Sequence, residues 1–266
     1  MNEGSKPANE TLELLAARKS TRGYEERPVP AEVREAILEA TLRAPTAGNM
    51  MLYSVIEVED QGLKERLAVT CDHQPFIAKA PWVLVFLADY QRWMDYFELS
   101  GALSPDFARK NGLAGPARPR ESDFLLAASD ALIAAQTAAI AAESLGLGSC
   151  YIGDIMERYE EHRELLRLPD FVFPVAMLCL GYPSQKERER PRTGRFDRRH
   201  IVFKDSYEAR GAADYEEMFA SGRSSGAPFL PGAENYGQQY YLRKFAGAFS
   251  VEMRRSVAAA LEVWRA

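Results

Sequence analysis

The sequence has 266 residues, of which 47% are hydrophobic, so it holds enough apolar material to bury a substantial core. Lys and Arg number 33 against 38 for Asp and Glu, which gives a formal net charge of −5 at pH 7. This charge supplies no overall attraction for nucleic acid or acidic membranes, so neither is expected as a partner. Any anion site must therefore be a local cluster of cations.

The cysteines and the amino-terminal segment indicate the cellular compartment. Cys71, Cys150 and Cys179 are widely spaced, odd in number and form no CxxC pair, which is typical of free thiols in a reducing compartment. Residues 1–10 are polar and lack the apolar core of a signal peptide or membrane anchor. These features predict a cytoplasmic protein, and because its histidines are unclustered we expect no metal site.

Hydrophobic periodicity predicts helices and strands in mixed order. In chain order, the pattern predicts helices over 11–19 and 31–43, a strand over 54–58, a helix over 61–70, a strand over 82–88, a long helix over 124–142, a helix over 157–167, a strand over 175–180 and a helix over 252–264. No regular βαβ alternation is present. The sequence therefore predicts an α+β fold in which helices outnumber strands.

The most apolar stretch, residues 124–142, is interrupted by Asp130 and Gln136 and dominated by alanine. This composition argues against a lipid-facing span and favours a buried helix, for which Ser122 and Asp123 supply an amino-terminal cap. Apolar residues lie on more than one face of this helix. Both sides must therefore be covered, either inside the domain or at a dimer interface.

Two stretches, 104–120 and 221–232, are rich in Gly, Pro, Ser and Arg and are predicted to be loops within one domain. An aromatic cluster precedes the first loop and consists of Tyr90, Trp93, Tyr96 and Phe97. It could roof a planar ligand, but a helix that packs its aromatic side chains on the core is the favoured interpretation.

Two short basic clusters carry the clearest candidate chemistry. The first gathers three cations and a hydroxyl where the first predicted helix ends, namely Arg18, Lys19, Ser20 and Arg22. In the second, Arg190 and Arg192 flank a proline. Guanidinium groups can clamp a phosphate through bidentate, charge-assisted hydrogen bonds. A solvated surface is the alternative interpretation for both clusters.

Two other kinds of site are disfavoured. Cys150 has no His or Asp at a spacing that supports a catalytic triad, so a small buried thiol is the preferred interpretation. The Gly146-Leu147-Gly148 segment lacks a third glycine and follows a predicted helix instead of a strand. A Rossmann dinucleotide site is therefore not expected there.

Six segments, taken in order, form a more specific pattern. They are RKSTRGY at 18–24, RAPTAGN at 43–49, HQPFI at 73–77 followed by AP at 80–81, ESLGLGSCYIG at 143–153, LGYP at 180–183 and RPR at 190–192. Together they resemble the FMN-dependent nitroreductase and flavin reductase family, and most closely the type A, NADPH-dependent, oxygen-insensitive nitroreductases. The resemblance covers residues from about 11 to 210.

The resemblance implies a nitroreductase-like α+β fold with a central antiparallel-type mixed sheet flanked by helices. It also implies an intertwined homodimer with FMN in clefts at the subunit interface. Residues 1–266 would form a single domain, with a lid excursion at about 90–123 and a carboxyl-terminal arm at about 208–266.

The resemblance assigns FMN contacts by position. Arg18, Lys19, Ser20 and Arg22 would hold the phosphate and ribityl end, with Arg22 also at the pyrimidine edge, and Arg190 and Arg192 would complete the phosphate site. The flavin ring would be contacted by Gln74, by the segment Tyr151, Ile152, Gly153 and Asp154, and by Thr46 of the partner subunit. Arg223 weakly resembles an arginine that relatives use for the 2′-phosphate of NADPH.

The implied activity is hydride transfer from NAD(P)H through FMN N5 to small aromatic acceptors such as nitroaromatics, quinones or free flavin, by a ping-pong mechanism. No side-chain acid or base is required, because the cofactor performs the chemistry. One departure is Met50-Met51-Leu52, where many relatives have Gln. Two alternatives stay open: a specialised FMN dehydrogenase, dehalogenase or ene-type reductase of the same fold, and a noncatalytic flavin-binding protein.

Overall fold

The computed structural model of the protein describes residues 9–220 and 228–265. Its helices and strands, in chain order, are α1 Glu10–Ala17, α2 Ala31–Thr41, β1 Tyr53–Glu57, α3 Gln61–Thr70, α4 Pro75–Lys79, β2 Trp82–Asp89, α5 Gln91–Leu99, α6 Pro105–Lys110, α7 Glu121–Ser144, β3 Gly148–Ile152, α8 Tyr159–Leu166, β4 Val172–Gly181, α9 Gln185–Glu189, α10 Ala212–Met218, α11 Tyr236–Tyr240 and α12 Ala248–Arg265. Short 3₁₀ helices lie at Ala47–Asn49, Asp154–Met156 and Arg198–His200.

The chain divides into two compact units. The larger consists of Arg18–Arg190 and Glu252–Ala266, and the smaller consists of Met1–Ala17 and Pro191–Val251. The expectation of a single domain over the whole chain stays a prediction.

The larger unit is built on a four-stranded sheet with the order β1-β2-β4-β3, in which all neighbouring strands are antiparallel. Every residue of the two central strands, β2 and β4, is buried. Successive side chains of a strand point to opposite faces, so both faces of this sheet must be covered by helices. The sheet and its flanking helices confirm the predicted α+β fold.

Helix α7 covers one face of the sheet, and α3 and α4 lie on the other. Leu84 and Phe86 of β2 share a core cluster with the alanines of α7. The alternate residues Val83 and Val85 belong to a second cluster, with Leu67 of α3 and Ile77 of α4. The larger unit is therefore layered as helix, sheet and helices, with a hydrophobic core on each side of the sheet.

Strand β4 is longer than its predicted counterpart over 175–180. The predicted strand starts only after Pro174, because proline has no N–H to donate a hydrogen bond to a neighbouring strand. In the structure the strand begins at Val172, and the register shifts between Phe86 and Leu87, so that Phe86 pairs with Ala176 and Leu87 with Pro174. This β-bulge accommodates the proline within a central strand.

Three other boundaries differ from the predictions. Strand β3 is absent from the sequence-based predictions; its five residues directly follow the turn at Gly146. Helix α6 lies inside the stretch predicted as a loop, where the Ser104 side chain accepts a hydrogen bond from Phe107 N at 3.2 Å and caps the helix. Helix α1 ends at Ala17, so Arg18 and Lys19 lie beyond it.

Helix α7 is long and apolar enough to cross a membrane by length and composition alone. Its alanine face is buried in the core, and a core helix of a soluble protein has the same properties. The opposite face is apolar and exposed, with Leu125, Leu126, Leu132 and Ile133 at its surface. The prediction of a buried helix is therefore right for one face, and the other face lacks a cover within the residues that the structure describes.

The predicted lid contains α5 and α6. Trp93 packs partly buried against the core and donates its indole N–H to Met50 O at 2.8 Å. Tyr90 is also packed there, whereas Tyr96 is exposed. The expectation that most of these aromatic side chains pack on the core agrees with Tyr90 and Trp93, whereas Tyr96 points into solvent.

The smaller unit is held by aromatic and ionic contacts of its own. Phe196 and Phe219 lie edge to face with ring centroids 5.2 Å apart. Arg199 forms an ion pair with Glu217 of α10. These contacts join the segment after Pro191 to α10.

Candidate cofactor site

The segment Arg18–Arg22 runs beside β3. Ser20 forms a parallel bridge with Ser149, and Thr21 N donates to Ser149 O at 2.8 Å. Gly148 permits this approach, since a Cβ there would lie 2.3 Å from Thr21 Oγ1. The close contact places Ser20 and Arg22, on either side of the buried Thr21, along the edge of the sheet.

The side chain of Arg18 is held by contacts with other residues of the protein. Its Nε lies 3.3 Å from Glu143 Oε1, and its Nη2 donates to Ser149 Oγ at 3.2 Å. Ser149 Oγ in turn donates to Glu143 at 2.6 Å. Burial raises the pKa of Glu143, although the Ser149 hydrogen bond and the Arg18 charge lower it. This triad fixes the start of the cationic segment and offsets part of its charge.

The two basic clusters of the sequence meet in the structure. Lys19 Nζ donates to Arg188 O at 2.8 Å and also to Arg190 O. Arg190 donates to Ser20 O and, through Nε, to Glu187 at 2.9 Å. These bonds place Arg190 next to the Lys19–Ser20 backbone.

Arg22 differs from the other three cations. Its side chain is exposed, and its guanidinium carbon lies 5.9 Å from the centre of the Phe76 ring. Across residues 9–220 and 228–265, no acidic group forms a salt bridge with it. A cation that is stacked but unpaired is the group best placed to bind an anionic ligand.

Gln74 and the end of β3 form the adjoining part of the site. Gln74 immediately precedes α4, the helix that carries Phe76, and its Nε2 donates to Asp154 Oδ2 at 2.6 Å. Gly153 is exposed, and the nearest atom that a Cβ there would meet is 3.9 Å away. Tyr151 turns its hydroxyl towards Gln136 of α7, at 3.3 Å.

Ile152 completes this end of β3 as a buried core residue. Its side chain faces the cluster that includes Ile77 and Cys179. Any contact of Ile152 with a cofactor would therefore be made by its backbone.

Three other predicted site residues have different surroundings or fall outside the described residues. Arg192 belongs to the smaller unit, where its Nη1 donates to Ala16 O at 2.5 Å. Thr46 donates its hydroxyl to Asp130 on α7. Arg223 lies outside the described residues. The FMN and nucleotide roles of these residues stay predictions.

Two acidic residues near the predicted site residues were not singled out from the sequence as functional. Asp130 is buried and accepts hydrogen bonds from Thr46, Ala47 N at 3.0 Å and Leu52 N at 3.1 Å. An aspartate inside an alanine-rich apolar helix was the signal, since a buried charge requires such partners. Glu157 is also buried, but only tertiary structure shows it.

The thiols are unsuited to nucleophilic catalysis. Burial raises the pKa of Cys150, and it raises the pKa values of Cys71 and Cys179 further. In the part of the chain that the structure describes, no group of three or more His, Cys, Asp or Glu residues could hold a metal ion.

The fold and the site define an α+β protein with a cluster of cationic side chains beside one edge of an antiparallel sheet. Comparison with known proteins identifies the class. The model of the Nitroreductase family matches residues 15–182. The chain therefore belongs to the nitroreductase family, and the resemblance stated from its motifs is confirmed.

Individual relatives agree with this assignment. The chain is 36% identical over 184 residues to FMN reductase (NAD(P)H) of Bacillus subtilis, covering 69% of this chain and 70% of the relative. It is 35% identical over 182 residues to the oxygen-insensitive NADPH nitroreductase of Salmonella typhimurium, covering 68% and 69%. The solved structure of B. megaterium NfrA2 superposes with a TM-score of 0.78 at 26% identity, covering 95% of this chain and 97% of the other. The expected nitroreductase-like fold is confirmed.

Proposed function

We propose that the protein is an FMN-dependent oxidoreductase that passes reducing equivalents from NAD(P)H to small aromatic acceptors. The names of the relatives, an FMN reductase that uses NAD(P)H and an NADPH nitroreductase, support this activity and this cofactor. The expected enzyme class and cofactor are thus confirmed.

The observation that carries the proposal is the convergence of three separate segments. Arg22, Gln74 and Gly153 come from different parts of the chain, and the structure connects them through Phe76 and Asp154. An unpaired guanidinium, an amide and an open glycine are groups that suit a phosphorylated, planar, hydrogen-bonding cofactor. The residues present therefore fit FMN.

The residues of the site bind and orient the cofactor, which supplies the hydride chemistry when bound. Arg22 contributes positive charge beside the site, which favours a cofactor that gains negative charge on reduction. Lys19 and Arg190, tied to backbone carbonyls, hold the phosphate end of the site in shape. Gly153 is exposed and has no side chain, so a planar molecule could approach the backbone there.

We further propose that the protein is a cytoplasmic homodimer. The exposed apolar face of α7 supports the dimer, since a soluble protein rarely leaves several large apolar side chains together in water. In this arrangement, the partner subunit's Thr46 would contribute to the cofactor site. Asp130 would then act indirectly, by fixing the loop that carries Thr46.

The first test is the visible spectrum of the purified protein, reconstituted with FMN and kept free of oxygen, before and after addition of NADPH or NADH. We expect bound flavin whose absorption bleaches with at least one nucleotide, and that nucleotide is the donor. Flavin that binds but does not bleach would favour the noncatalytic alternative. Absence of flavin binding would refute the proposed function.

A further inference from the structure

The side chain of Gln74 is held in one orientation. Its Nε2 donates to Asp154 Oδ2 at 2.6 Å and to Cys71 O at 2.9 Å. A carboxylate and a carbonyl are both acceptors, so the NH₂ group must face them and the amide oxygen must point elsewhere. That oxygen accepts no hydrogen bond from any residue that the structure describes. Gln74 therefore presents a free acceptor.

The turn before Gln74 supports this orientation. Asp72 and His73 both have left-handed backbone conformations, with φ values of 56° and 52°. Such conformations cost energy in residues other than glycine and persist only where surrounding contacts hold them. The Gln74 backbone supplies one of these contacts, since its N donates to Ala68 O at 2.8 Å.

Asp154 has a second carboxyl group beside it. Glu157 N donates to Asp154 O at 3.0 Å, so the two residues lie side by side, and the Asp154 carboxyl is close enough to influence the side chain of Glu157. Glu157 is 4% exposed, and its Oε1 has no hydrogen-bond donor among the described residues. A buried carboxylate oxygen without a donor is costly, and a neighbouring negative charge adds repulsion, so these surroundings favour the protonated form of Glu157.

The other groups around Glu157 strengthen this effect. Asp72 and Glu252 add negative charge, and burial, followed by Asp154 and Asp72, raises the pKa of Glu157 to about 7. Glu252 is itself paired with Arg255 and accepts from Arg158 N at 3.2 Å. His162 lies next to the Glu157 backbone, and burial lowers the pKa of its ring, so it adds no charge at neutral pH.

We propose that Asp154 and Glu157 are positioning residues that make FMN affinity depend on the protonation of Glu157. When Glu157 carries the proton, it donates to Asp154, and Asp154 keeps the Gln74 oxygen directed at the cofactor. When the proton leaves, the two carboxylates repel each other and the anchor of Gln74 is lost. This inference rests on the proposed function, because it takes FMN as the ligand of Gln74.

The test is the FMN dissociation constant, measured by flavin fluorescence from about pH 6 to about pH 9. Wild-type affinity should fall about tenfold across this range, the equivalent of one hydrogen bond of about 1.4 kcal/mol. Glu157→Gln, which is neutral at every pH, should keep the tighter value throughout. Because the phosphate of FMN titrates equally with both proteins, the ratio of their constants at each pH isolates the Glu157 effect.

Two further variants sharpen the comparison. Glu164→Gln removes a negative charge from an exposed position of α8 and should follow the wild-type profile. Asp154→Asn lets Glu157 ionise without repulsion, so its affinity should lose the pH dependence. Identical pH profiles for the wild type and Glu157→Gln would overturn the inference.

A measurement on the flavin-free protein separates this inference from the proposed function. Infrared difference spectra between about pH 6 and about pH 9 should show loss of a protonated carboxyl band, absent in Glu157→Gln. If this band appears but FMN does not bind, the proposed function is refuted and the protonation of Glu157 is supported. If FMN binds and the band is missing, the pair is wrong and the function stands.

Discussion

Arg22 is the cation of the site whose charge remains available to a ligand. Arg18 faces Glu143, Arg190 faces Glu187, and Lys19 is bound to two carbonyls. These three side chains make contacts within the protein, so their replacement would change both structure and binding. Arg22 is exposed and stacks near Phe76, so its replacement should affect binding with little effect on folding.

Arg22→Ala should therefore weaken FMN binding by about 1.5 to 3 kcal/mol, the range for a hydrogen bond to a charged group. Fluorescence titration with FMN measures this change, and thermal unfolding of the flavin-free protein should be nearly unaltered. Arg109→Ala is the matched control, since Arg109 forms a highly exposed ion pair with Asp106 on α6. Equal FMN affinity in the wild type and Arg22→Ala would contradict the assigned role.

Asp130 shows how one buried charge organises a loop. Its carboxylate accepts from Thr46, Ala47 N and Leu52 N. The same loop contains three residues with positive φ, namely Gly48, Asn49 and Met51, at 56°, 58° and 50°. Burying a carboxylate is costly unless several donors surround it, and here the loop backbone supplies them. The hydrogen bonds to the Asp130 carboxylate thus stabilise the left-handed turns, and the turns place the donors around the carboxylate.

At the scale of elements, the approach of the Arg18–Arg22 segment to β3 depends on Gly148. In Gly148→Ala, the new Cβ would lie 2.3 Å from Thr21 Oγ1 and 2.7 Å from Thr21 Cβ, so the segment must move. We expect a loss of about 1 to 3 kcal/mol in the free energy of unfolding, typical of overpacking, together with weaker FMN binding. Denaturant unfolding and FMN titration measure the two effects.

The controls test the steric origin of this effect. Gly115 has no atom within 4 Å of a built Cβ, so Gly115→Ala should leave both quantities unchanged. The double variant Gly148→Ala with Thr21→Gly removes the clashing side chain and should recover part of the lost stability. A double variant no better than Gly148→Ala would show that the contact with Thr21 is not the cause.

Sequence pattern located the elements whose signal is long or strongly periodic. The predicted helix over 124–142 lies within α7, and the predicted strands over 54–58 and 82–88 match β1 and β2 to within one residue at each end. Local sequence pattern failed where tertiary contacts determine the secondary structure. Pro174 is tolerated in β4 because β4 bulges beside it, where Val175 is skipped in the pairing with β2.

The same distinction holds for the site. A motif placed the cations Arg18, Lys19 and Arg22 near the amino terminus, and the structure brings Arg190 beside them. It could not show that Arg18 pairs with Glu143, since the two are far apart in sequence and meet beside Ser149 of β3. Nor could it show that Glu157 is buried against Asp154, because the polar sequence around it is typical of a surface helix.

At the scale of the whole molecule, the carboxyl-terminal helix is part of the core of the larger unit. Trp264 of α12 is almost fully buried, and its ring lies edge to face with Phe124 and Phe171, with both centroid distances 5.3 Å. Ser256 of the same helix accepts from Tyr159 N at 2.8 Å. The predicted carboxyl-terminal arm at about 208–266 therefore ends in a segment that stabilises the larger unit.

The exposed face of α7 leads to a prediction about assembly. Leu125 and Ile133 are 64% and 40% exposed, although they belong to the central helix of the core. In a homodimer this face would be covered, and burial of each large apolar side chain would contribute about 1.5 to 3 kcal/mol. Ile133→Glu should therefore shift the protein towards the monomer, as measured by sedimentation velocity at several concentrations.

Leu99→Glu is the control for this variant, because Leu99 is 86% exposed at the end of α5 and the same charge is introduced away from α7. It should leave the sedimentation coefficient unchanged. If the partner subunit's Thr46 completes the cofactor site, Ile133→Glu should also bind FMN more weakly as the dimer dissociates. A wild-type protein that sediments as a monomer at all concentrations would refute the dimer, and the apolar face of α7 would then need another cover.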